Sequence, residues 1–144
     1  MRFTLWRSLS RLALAAVFAR FFGFLSYTLM RSERRDVNGG GWRLFDRDQP
    51  HIASATGVLR MGRGWELGAS MRYTSGTPYT PIAGATYDAT TDVYSPRNGR
   101  LLSERNPAFF RLDLRAQKTW TFSRWSLAAY LDVQNATNQS NAAW

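Results

Sequence analysis

The chain of 144 residues has no cysteine, one histidine and one lysine. Without cysteine there is no disulfide scaffold and no thiolate-held zinc or iron–sulfur centre. A Ser-His-Asp triad would have to use His51, the only imidazole. No apolar run approaches the ~18 residues that a membrane-spanning helix needs. No Gly-rich phosphate loop, cluster of metal ligands or nucleophile–base pair occurs, so neither an enzyme nor a bound cofactor is expected.

Acid is scarce as well. Asp and Glu number 10 against 19 Arg and Lys, a formal net charge of +9. Every basic residue except Lys118 is an arginine. Arginine pairs with phosphate and stacks on bases, so nucleic acid and anionic lipid are both candidate partners. The distribution argues against a basic tail. Residues 1–48 carry 9 Arg and 4 acids, residues 49–144 carry 10 basic and 6 acidic residues, and no five basic residues are consecutive. Aromatics are plentiful, with 6 Trp, 6 Tyr and 9 Phe. That is more apolar surface than a disordered chain leaves in water.

Residues 1–20 differ from the rest. Arg2, Arg7 and Arg11 precede an apolar run from Leu12 to Ala19. Charge, short apolar core and small residues outline a secretory signal, with Val17-Phe18-Ala19 as a passable cleavage tripeptide; the alternatives are an amphipathic stretch running on into Phe21-Phe22, as helix or as part of another strand.

From residue 21 onward the pattern has a period of two, the mark of strands with two unlike faces. Trp65, Leu67, Ala69, Met71 and Tyr73 form one row, and Glu66, Gly68, Ser70, Arg72 and Thr74 the other. Phe110, Leu112, Leu114, Ala116, Trp120 and Phe122 oppose Arg111, Asp113, Arg115, Gln117, Thr119 and Thr121, with Lys118 breaking the apolar row. Trp125, Leu127, Ala129, Leu131 and Val133 oppose Ser126, Ala128, Tyr130, Asp132 and Gln134. Weaker alternation runs through 21–32 and 51–61. Strands are therefore expected near 21–32, 50–61, 64–75, 108–122 and 125–136.

The connections sort by length. Gly62-Arg63-Gly64 and Ser123-Arg124 read as tight turns. Residues 33–49 and 75–107 read as long polar loops. Short turns at one end and long loops at the other suit an outer-membrane barrel. Strand length agrees, since a tilted membrane strand needs about 9–11 residues and a soluble strand averages about 5–6. Glu66, Arg72, Arg111, Asp113, Arg115 and Asp132 then face a lumen, because such charges are poor in a dry core. Trp65, Trp120, Phe122 and Trp125 stand where an interfacial belt would be, with Tyr73 and Phe109 or Phe110 near the other rim.

In this order the stretches FFGFLSYTLMRSERRD (21–36), WRLFDRDQPH (42–51), GRGWELGASMRYTSGTPYTP (62–81) and FFRLDLRAQKTWTFSRWSLAAYLDVQNATN (109–138) resemble the C-terminal part of the barrel of TonB-dependent outer-membrane receptors. The resemblance implies an all-β fold, an antiparallel up-and-down meander of about five long strands, as an open fragment of a transmembrane β-barrel. It implies a place in the cell outer membrane, with lipid, the remaining strands and a plug domain as partners. It also implies active uptake of an iron chelate, cobalamin or sugar, with the TonB complex acting only through the plug. The plug and the TonB-contacting box have no counterpart here, and residues 1–20 match poorly. The expectation is a receptor fragment over 21–144 that does not transport alone. The alternative is a small soluble basic β domain that binds single-stranded nucleic acid. It is disfavoured because Trp65, Tyr73, Trp120 and Trp125 lie opposite Arg72, Arg111 and Arg115.

Individual candidates are few. His51, at a strand start after Pro50, reads as a solvated rim residue. Asp88 and Asp92 lack the ligand spacing of an EF-hand. Glu66, Asp113 and Asp132 are expected to pair with arginines on neighbouring strands. Tyr79, Tyr87, Tyr94, Arg97 and Arg100 in the 75–107 loop are the candidates for touching a solute.

Overall fold

The structure is a computed structural model that describes residues 19–35 and 41–141 and the backbone of 7–17. Six strands carry the main sheet: β1 (Arg7–Val17), β2 (Phe21–Arg31), β5 (His51–Gly62), β6 (Trp65–Thr74), β11 (Phe109–Thr121) and β12 (Ser126–Val133). Six shorter strands lie in the connections: β3 (Glu33–Arg35), β4 (Trp42–Leu44), β7 (Pro78–Tyr79), β8 (Ile82–Asp88), β9 (Val93–Asn98) and β10 (Glu104–Arg105).

The main sheet runs in the order β1-β2-β5-β6-β11-β12, and each neighbouring pair is antiparallel. It is an all-β meander, and the five expected strands are present and pair with their sequence neighbours. A sixth, β1, is added from the stretch with the signal-like outline. Residues 1–6 and 18 of that stretch, Phe18 of the cleavage tripeptide included, lie outside the described residues. The sheet is not closed. β1 and β12 are its two edges.

Directly opposed residues of antiparallel strands share a face. One row across the sheet reads Leu25, Ala55, Met71, Leu112. The next reads Gly23, Gly57, Ala69, Leu114, Val133. On the other face a row reads Phe22, Val58, Gly68, Arg115, Asp132. The register therefore collects the apolar residues of successive strands on one face and most charges on the other.

Among the described residues nothing covers the apolar face. Among the described residues no hydrophobic side chain is buried, and Leu131 on that face is 66% exposed. The chain exposes 11722 Å2, against about 7500 Å2 for a compact monomer of this mass. Backbone pairing, not a core, defines this shape. No helix of the described residues is long and apolar enough to cross a membrane.

The tight turns form as their sequences require. Arg63 and Gly64 both have positive φ, 52° and 78°, the pattern of a two-residue hairpin turn matched to strand twist. The Gly64 carbonyl accepts the Thr119 N–H at 2.8 Å. A Cβ on Gly64 would lie 2.0 Å from the Thr119 oxygen, so only glycine fits. The other turn closes with Phe122 N–H donating to the Trp125 carbonyl at 2.8 Å and their rings stacked 4.0 Å apart. The long connections are not wholly irregular. They hold three small hairpins, β3–β4, β7–β10 and β8–β9.

Candidate functional site

Two places gather polar chemistry: the charged face of the sheet and the rim where the long loops meet.

On the charged face the register brings all six sequence-predicted charges together. Arg111 grips Asp113 with Nε 2.8 Å from each carboxylate oxygen. The Asn135 N–H donates to the same carboxylate at 2.8 Å. Arg115 lies 3.5 Å from Asp132 and stands over the Tyr130 ring at 4.1 Å. Glu66 pairs with Arg60 at 3.1 Å. Two of these partners stand on neighbouring strands, as expected, but Arg111 and Asp113 lie on one strand. Arg72 sits directly across from Arg111 and Ser54 and has no acidic partner among the described residues. The face is not uniformly polar. Phe22 and Phe24 of β2 stand on it, 54% and 44% exposed.

At the rim the centre is Asp48, 1% exposed. Its carboxylate accepts the Ser32 N–H at 2.6 Å and an Arg105 N–H at 2.5 Å. The same guanidinium donates to the carbonyls of Asp48 and Gly76 at 3.0 and 3.1 Å. Ser75 closes the β5–β6 pair: its hydroxyl accepts the His51 N–H and donates to the His51 carbonyl, at 2.9 and 3.1 Å. A Cβ on Gly76 would fall 1.7 Å from the Asn106 oxygen, so the 75–77 and 105–107 segments touch through bare backbone. This knot ties the two long connections into one rim. A buried carboxylate with a bidentate-capable arginine is a structural clamp.

His51 is exposed at the start of β5, its Nδ1 sharing a hydrogen bond of 2.7 Å with the Tyr27 hydroxyl. The solute-contact candidates are dispersed. The Tyr79 hydroxyl donates to Glu104 at 2.7 Å across the β7–β10 hairpin, and this hydrogen bond with the nearby negative charge raises the phenol pKa. Tyr87 and Tyr94 form a pair, ring centroids 5.0 Å apart, on the outlying β8–β9 hairpin. Tyr87 donates to Asp92, which raises its pKa. Arg97 lies opposite Gly84 in that hairpin. Arg100 follows the β8–β9 hairpin in sequence. Asp88 accepts the Thr90 N–H and the Thr91 hydroxyl, and these bonds lower its pKa. Its oxygens serve a local turn. Among the described residues no group of three His, Asp or Glu side chains stands close enough to hold a metal ion.

Sequence reasoning missed the Asp48–Arg105 clamp. The partners are 57 residues apart, and no local pattern pairs them. Comparison with protein-family models, curated proteins and solved structures returned no match.

Proposed function

We propose that the chain is a segment of the wall of an outer-membrane β-barrel of the TonB-dependent receptor kind. The observation that carries this is the wholly uncovered apolar face of a six-stranded antiparallel sheet whose central strands run to 10–13 residues. In water such a face is a large liability, whereas in lipid it is a solvent match. The charged face then looks into a lumen. Phe22 and Phe24 on it favour an interior filled by a plug, which would cover them. Tight turns on one side and hairpin-bearing loops on the other fit the two sides of an outer membrane.

Six strands leave two edges whose backbone groups must be paired in lipid, by the receptor's other strands or, for the chain alone, by further copies of the sheet. The wall is therefore completed by further strands, and uptake of a solute belongs to the completed receptor. The nucleic-acid reading has less support, because Trp65, Tyr73 and Trp120 share the face opposite Arg72, Arg111 and Arg115.

The test is fractionation of the expressed full chain. It should be recovered from membranes after an alkaline carbonate wash and require detergent for release. A monodisperse, detergent-free protein in the soluble fraction would sink the proposal.

A further inference from the structure

Lys118 is the one lysine, and it interrupts an otherwise apolar row. It stands on the uncovered face directly across from Trp65 and Ala129. Its ammonium lies 5.3 Å from the Trp65 ring centroid and 5.9 Å from that of Trp120. It bends toward the tight turn and donates to the Arg63 carbonyl. An ammonium has three donors, so two remain. Arg20, Arg63 and Arg124 lie in the bends at this end of the sheet. Among the described residues the acid at this end is Glu66, and Arg60 already neutralises it. This end therefore presents cations without counter-charges.

A shallow apolar groove of about 470 Å3 opens beside Lys118 on the same face. The short side chains Ala69 and Ala116 stand in it among Leu67, Leu114, Leu131 and Val133. Ala116 and Leu114 are two and four residues from Lys118 along β11. The groove thus reaches about 14 Å along β11 from the Lys118 backbone at the ordinary rise of a strand. That is close to half of a ~30 Å hydrocarbon core.

A cation at the turn-side boundary, two aromatic rings holding it there, and an apolar groove leading inward by half a bilayer match one kind of molecule. We propose that Lys118 and this groove form a binding site for an anionic glycerophospholipid of the turn-side leaflet. Its phosphate takes the free donors of Lys118. One acyl chain lies in the groove over Ala116 and Ala69. The site rests on the membrane reading above.

The experiment uses the full chain reconstituted into phosphatidylcholine vesicles. Its tryptophan fluorescence is quenched with acyl-chain-brominated phosphatidylglycerol or, separately, brominated phosphatidylcholine. The phosphatidylglycerol should associate more strongly, and Lys118→Gln should cut that preference about fivefold, the factor that one cation near an anionic headgroup supplies. Lys118→Arg should keep it. Ala116→Phe, which fills the groove, should weaken it with the charge intact. Equal quenching by the two lipids, or a preference that Lys118→Gln leaves unchanged, overturns the lipid site and leaves the membrane reading standing. No quenching by either lipid overturns both.

Discussion

Asp48 is the most buried side chain described, and among the described residues Arg105 is its one cationic partner. Removing the guanidinium strands a carboxylate away from water, whereas Asp48→Asn removes the charge and leaves poorer hydrogen bonds. Losing a buried partner costs about 1–3 kcal/mol, more when a charge is left alone. Arg105→Gln should therefore loosen the rim more than Asp48→Asn. Limited proteolysis of 75–107 in the detergent-solubilised chain reads the difference, and equal protection in both variants would contradict the clamp. Tyr79 makes a pH-dependent contact at the same rim. Its folded pKa is raised by Glu104, so the contact is complete below the unfolded phenol value of about 10. It is lost as pH rises through the higher folded value. Glu104→Gln should lower the pH at which this phenol ionises, measured by tyrosinate absorbance. No change would mean that the contact is absent in solution.

At the level of strands, alternation was enough to place β2, β5, β6 and β11 to within one residue at each end, because half-exposed strands print their two faces directly on the sequence. β12 ends at Val133, short of the expected 136. Asn135 adopts a positive φ of 50°, a conformation that asparagine tolerates, and its side chain bonds with Gln139 instead of extending the ladder. β1 is the strand alternative for residues 1–20, which the sequence does not separate from helix or a secretory signal, because Arg7–Val17 reads as charge followed by an apolar run and shows its strand character only in pairing with β2. The small hairpins escaped for another reason: β3, β4, β7 and β10 have two or three residues each, too few for any period to register. The assigned faces have a direct test. Leu114→Arg should cost roughly 2–4 kcal/mol in lipid near the midplane. Thr119→Arg, on the charged face, should cost much less. Equal losses of folded, membrane-inserted protein would show the faces to be wrongly assigned.

For the whole molecule, the six-charge face was legible in the sequence, while the rim clamp was not. The first needs only a period of two. The second needs the fold, since it joins Ser32 and Asp48 of one long connection to Gly76 and Arg105 of the other. The number of strands in the meander is even, and this has a topological consequence. β1 starts opposite Arg31, beside the long loops, and β12 ends opposite Leu114 heading toward the same side. Asn141 is held there, its side-chain amide bonded to the Phe110 N–H and carbonyl at 3.0 and 2.8 Å. Short epitopes placed directly before Arg7 and directly after Asn141 should then face one compartment. In sealed vesicles an added protease should remove both or neither from any single inserted molecule. Removal of one alone would mean that the strand count across the bilayer is odd.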